Sequence, residues 1–177
     1  PDPDRGYALA ALTGSLNFKN IKDSFFKNLI KEKQDEHLFD LSYDYVGDLA
    51  ETISLLWDQE KSGNMPRLSS LFENLKKAKT DELKNYIINI LNISTADQRW
   101  AFIKLFTGGL RIGVSSRLVK QALANYGNID LDEIEKIWHG LHFPYFNLFS
   151  WLENKGSKPK ISIYDIFHPM MLAHPLV

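Results

Sequence analysis

Residues 94–127 read STADQRWAFIKLFTGGLRIGVSSRLVKQALANYG, and two helices with a glycine-hinged corner between them are legible there. Ser94 followed by Asp97 opens the first helix, because a short polar side chain accepts from first-turn amides and an acid suits the positive helix end. It runs to Thr107 and stops at Gly108-Gly109. Ser115 opens the second helix, and Gly127 closes it. Outward from this corner the chain keeps the same rhythm. Arg5 to Thr13 is a small apolar helix ended by Gly14. Lys19 to Lys33 sets Ile21, Phe25, Leu29 and Ile30 on one face. Asp35 to Leu41 and Tyr45 to Trp57 form two more helices, and Thr80 caps another with Asp81 and Glu82 in its first turn. Asp130 and Glu133 make a capping-box-like pair for a helix that closes at Gly140. Pro144 stands at the start of a last helix ending near Gly156. Only Lys160 to Phe167 (KISIYDIF) alternates like a strand. The expectation is an all-α, two-lobed fold with a short extended C-terminal tail. The polar, glycine- and proline-bearing stretch Asp58 to Pro66 is the expected lobe boundary.

Composition bounds the function classes. Hydrophobic residues make up 44% of the 177, enough for a sizeable core. Cysteine is absent, which excludes disulfides and thiolate-bound metal and is compatible with a reducing interior. No apolar run approaches the roughly 20 residues that cross a bilayer, so no membrane partner is expected. The chain opens on Pro1-Asp2-Pro3-Asp4 without a Met and reads as a fragment. Net charge is −1, so an affinity for nucleic acid has to come from local segregation of charge.

That segregation is present. Between Arg99 and Ile129 there is no Asp or Glu, while Arg99, Lys104, Arg111, Arg117 and Lys120 stand in the same stretch. Glycines let backbone approach a ligand, and the helix N-terminus at Ser115 or Ser116 offers amides to an anion. Arg111 projects from the short loop, where it suits a phosphate or a minor groove. The charge pattern taken alone equally describes a solvated helix face, or an adaptor whose basic face meets an acidic protein.

Leu110-Arg111-Ile112-Gly113-Val114-Ser115, followed by Val119 and Ala122-Leu123-Ala124, resembles the signature of the N-terminal domain of ATP-dependent DNA ligases. Pro1 to Gly14 and Leu41 to Glu51 (LSYDYVGDLAE) look like the corresponding parts of bacterial members. Phe167 to Pro175 (FHPMMLAHP) is similar to the segment by which these ligases enter their nucleotidyltransferase domain. The resemblance implies a helical DNA-binding domain over residues 1–160. Residues 161–177 would then be a linker and the truncated start of the adenylation domain. It implies that the parent enzyme uses ATP and Mg2+ to seal nicks in repair, replication or recombination. The partners it implies are nicked duplex DNA and the ligase's own nucleotidyltransferase and OB-fold domains, in a bacterial cytoplasm. It places DNA contacts at Gly109, Arg111 and Gly113, then at Ser115, Arg117 and Lys120, with a second contact loop at Gly14 and Ser15. The family's Lys-x-Asp-Gly adenylation motif is missing. Lys79-Thr80-Asp81-Glu82 lacks the glycine and reads as a helix cap, so no catalytic residue and no bound cofactor are expected in this stretch.

Four other groups have a chemical and a plain reading. His139 and His142 have a spacing that suits zinc, but structural zinc needs four ligands and Gly140 lies between them. Trp100, Trp138 and Trp151 can stack on bases, yet they occupy core-type positions. Asp40, Asp44, Asp48 and Glu51 form a carboxylate cluster of a kind that can do acid–base work, but with no partner base it suits a solvated or helix-capping role, Asp44 and Asp48 being spaced to share a helix face. Lys76, Lys77 and Lys79 mark an exposed helix end that could extend a DNA track.

Overall fold

The computed structural model describes residues 3–16, 18, 21–61, 63–107, 110 and 112–162; the expected tail beyond residue 162 lies outside them. Ten helices and no strand occur among the described residues: α1 (Pro3–Leu12), α2 (Asp23–Lys31), α3 (Glu36–Val46), α4 (Leu49–Leu56), α5 (Leu68–Lys77), α6 (Thr80–Ile93), α7 (Ala96–Thr107), α8 (Ser116–Gly127), α9 (Leu131–Trp138) and α10 (Phe146–Leu152). The all-α class is therefore as expected. The chain forms two compact units, one of residues 7–113 and one of residues 1–6 with 114–177.

Asp58 to Pro66 is not the boundary between them. It lies within the first unit, tied to α6. Trp57 Nε1 donates to Asn92 Oδ1 (2.9 Å), Lys61 N donates to Asn92 O (3.3 Å), and Asn92 Nδ2 donates to Glu60 Oε2 (2.7 Å). Polarity and a proline made this stretch a loop, but hydrogen bonds from its backbone and side chains fix it to the same core.

The 7–113 unit packs α4 against α7 and α3, with α2 touching all three. Its core contains Phe26, Ile30, Phe39, Ile53, Phe72, Ile87, Leu91, Phe102 and Ile103, all essentially without solvent contact. Phe72 stacks on Tyr7 and on Phe18, each at 5.0 Å between ring centroids. The break between α3 and α4 falls at Gly47 rather than between Leu41 and Tyr45. Gly47 takes the left-handed conformation (φ 73°) that closes a helix, and its N–H donates to Tyr43 O. Asp48 then opens α4, its Oδ1 accepting from Glu51 N at 3.0 Å. Asp44 and Asp48 therefore sit on different helices. Asp48 Oδ2 also meets the ammonium of Lys104 from α7 in an ion pair that is largely buried. At α6 the cap is Lys79, whose N–H donates to Glu82 Oε2 (3.2 Å), one residue before the expected Thr80. Thr95, not Ser94, caps α7, exchanging bonds with Gln98.

In the second unit α8 packs on α9 and α10 around Val119, Leu123, Ile134, Ile137, Leu148 and Leu152. Asn128, with φ 50°, closes α8 one residue after the expected Gly127. Asp130 caps α9 through Asp132 N (3.1 Å), while Glu133 binds Lys136 and Lys158 instead of completing a capping box. Pro144 lies two residues before α10, which ends at Leu152, four residues before Gly156. The first turn of α1 belongs here too. A methyl group on Gly6 would lie 2.1 Å from Pro144 O, so only a bare α-carbon fits that approach. Arg5 ion-pairs with Glu153 and lies 4.5 Å above the Phe149 ring.

Arg5, aided by Lys155, holds the Glu153 carboxyl down at about 2, from an ordinary value of 4.5. A depressed carboxyl pKa stabilises the fold above the unfolded value and loses that contribution as pH falls toward the folded one. Thermal melts of the wild-type protein should therefore decline between about pH 4.5 and about pH 2. Glu153→Gln should flatten that decline; an unchanged acid profile would remove Glu153 as its source.

Candidate nucleic-acid interface

Ser115 stands at the N-cap of α8 in extended conformation, and its Oγ accepts from Leu118 N at 3.2 Å. Val119 N closes the first intrahelical bond on Ser115 O (3.1 Å). Helix geometry then leaves the N–H groups of Ser116 and Arg117 without an intrahelical acceptor. Ser115, Ser116, Arg117 and Leu118 are all exposed. The positive end of α8 and the Arg117 guanidinium thus face solvent together, a setting that suits an oxyanion. Lys120 lies one turn on, half-buried, with Nζ 5.5 Å from the Trp138 ring centroid. Gly113, exposed and at φ 72°, makes the turn that leads into this cap. Gly109 and Arg111 lie outside the described residues, as does Gly108.

The turn after α1 is a separate exposed feature of the 7–113 unit. Gly14 is at φ 68° with open space around its α-carbon, and Thr13 Oγ1 and Ser15 Oγ are 2.9 Å apart. The expected contact residues thus divide between the two units. Gly14, Ser15 and Gly113 belong to one, and Ser115, Arg117 and Lys120 to the other.

Two residues of the acid-free stretch belong to the interior. Arg99 is 5% exposed, its Nε donating to Thr95 O (3.3 Å) and its Nη1 buried without a hydrogen-bond partner. Burial pushes the Arg99 guanidinium below its ordinary pKa, against the pull of the Asp58 carboxylate. Lys104 is 7% exposed and neutralises Asp48. The helical phase carries the missed signal: Arg99 shares its face with Phe102, Ile103 and Phe106 of α7. The acid that answers Lys104 comes from another helix, so a gap in local sequence did not mean a gap in space.

The remaining groups have structural settings. Among the described residues no three metal-ligating side chains converge. Trp100, Trp138 and Trp151 are half-buried, with Lys104, Lys120 and Lys158 respectively over their rings. Lys76, Lys77 and Lys79 are exposed at the end of α5 and the start of α6. No described helix is long and apolar enough to cross a membrane.

Residues 8–124 match the sequence model of the family described as DNA ligase N terminus. No curated protein and no solved structure matches the chain. The matched span runs from α1 through residues 108–115 into α8, and holds every expected contact residue named above. On that match, over well more than half its length, the chain belongs to the DNA ligase N-terminus family, the helical N-terminal domain of ATP-dependent DNA ligases.

Proposed function

We propose that this domain is the non-catalytic DNA-gripping module of a bacterial ATP-dependent DNA ligase. It holds the minor groove and sugar–phosphate backbone around a nick while the nucleotidyltransferase and OB-fold domains seal it. The carrying observation is the start of α8, where exposed backbone amides and Arg117 stand together in a stretch without a carboxylate. Amides and guanidinium groups aimed at phosphates position a duplex without reading bases. In the complete enzyme this is the orienting part of catalysis, bringing the nick ends to a site built elsewhere. ATP and Mg2+ are used by that other site. Lys79-Thr80-Asp81-Glu82, the nearest approach to an adenylation motif here, forms the cap and first turn of α6, which supports that reading. The parent would act in the bacterial cytoplasm, on the nucleoid, in repair, replication or recombination.

Fluorescence anisotropy with nicked duplex across a salt series tests the reading. Affinity should fall steeply with salt. Arg117→Ala should weaken binding for every sequence alike and lower the salt slope by about one phosphate contact; Arg111→Ala should do the same. Binding indifferent to salt and to both substitutions would instead favour a protein adaptor with a basic face. Incubation with labelled ATP should leave the chain unadenylated, and a covalent adenylate would overturn the non-catalytic assignment.

A further inference from the structure

Cysteine is absent from the chain, and among the described residues Met65 carries the only sulfur. Met65 lies just before α5, half-buried and packed against the core of the 7–113 unit. Two different surroundings meet at its side chain. Ser94, a residue with no exposed surface, sets its Oγ 3.0 Å from Met65 Sδ. That hydroxyl has one proton, for which Ile90 O also competes. Whichever acceptor holds the proton, the oxygen occupies that face of the sulfur. Met65 also forms part of the wall of an open cavity of about 430 Å³, shared with Leu12, Leu68, Phe102 and Leu105. Gln98 is the only lining residue with a polar side chain.

A thioether sulfur carries two lone pairs and becomes a stereocentre when it is oxidised. We propose that Met65 is a reversible oxidation site and that Ser94 directs it to a single sulfoxide epimer. A hydroperoxide enters through the cavity, and the lone pair that Ser94 leaves open attacks its terminal oxygen. The O–O bond breaks, the proton of the transferred oxygen passes to the departing one, and the peroxide leaves as water or alcohol. Sulfur loses two electrons and the peroxide gains them. The new oxygen lies on the side away from Ser94, among apolar walls that give a polar group little to bond. Oxidation therefore loosens the entry to α5, the helix that supplies Phe72 to the core. Sulfoxide reductases, each acting on one epimer, restore the thioether.

The test treats the full folded chain with hydrogen peroxide, digests it with trypsin and resolves the epimers of the peptide of residues 62–67 by chromatography. Chain oxidised in urea supplies the reference mixture. The folded chain should gain one oxygen at Met65 with one epimer in about tenfold excess or more, and one of the two reductase classes should remove most of it from the peptide. Ser94→Ala, its fold checked by circular dichroism, should bring the ratio toward the urea mixture. The wild-type comparison stands whether or not that variant folds. Oxidation of the wild type should lower its melting temperature by about 4 °C or more, and Met65→Leu should show no such fall. Near-equal epimers from the folded chain, or no oxidation at Met65 at a dose that oxidises it in urea, would overturn the proposal. So would an excess unchanged in folded Ser94→Ala, or an equal fall in Met65→Leu.

Discussion

Asp48→Ala should destabilise the 7–113 unit by about 3–5 kcal/mol, the range for breaking a buried ion pair by removing one partner. The two carboxylate oxygens have different tasks. Oδ1 caps α4 and Oδ2 neutralises Lys104, whose side chain is only 8% exposed. Removing the carboxylate strands an ammonium between α4 and α7 and uncaps α4 as well, the cap alone contributing about 1 kcal/mol. The melting temperature should drop by about 10 °C or more, at about 2–4 °C per kcal/mol for a chain of this size. Asp48→Asn should cost less, since an amide oxygen still caps. Lys104→Met should also cost less than Asp48→Ala, because Asp48 keeps its cap and, at 18% side-chain exposure, some water. If thermal melts place Asp48→Ala within about 1 kcal/mol of wild type, the pair is not buried as described.

Phe72→Ala should be of similar size, about 3–5 kcal/mol for a buried aromatic truncated to a methyl. Phe72 has no exposed surface and lies in stacking range of Tyr7 and Phe18, with Phe106 edge-on at 6.1 Å. Its loss opens a cavity among rings that belong to three separate segments, so collapse of any one of them cannot fill it. Phe72→Leu should recover most of the stability. Urea unfolding followed by circular dichroism should show the midpoint falling with the slope unchanged. A loss under about 1 kcal/mol would mean that the ring cluster repacks freely.

The elements most legible in the sequence were those with strong punctuation. α1, α7, α8 and α9 have ends within a residue or two of the expected Gly14, Ser94, Ser115, Gly127 and Asp130, because caps and left-handed residues act locally. α5, which supplies Phe72, was anticipated only at its lysine-rich end: its start has no side-chain N-cap bond and follows a polar stretch that reads as linker. The capping pair at Gly47-Asp48 was hidden inside a continuous apolar rhythm. The division into units was not legible at all. It depends on which faces meet in space, and the first six residues join a body made otherwise from 114 onward. For the candidate site, the Ser115 cap and exposed Arg117 could be read from residue type and order. The burial of Arg99 and Lys104 could not be read from charge, since their solvent exposure is set by helical phase and by an acid 56 positions before Lys104 in the chain.

That discontinuous body has a consequence for biosynthesis. Residues 7–113 can condense while the rest is still being translated, because every group in their core has already emerged. The other body has to wait. Arg5 and Gly6 are made well before Pro144, Phe149 and Glu153, which they meet. Arg5 and Gly6 therefore wait for α10 to emerge before they can close against it.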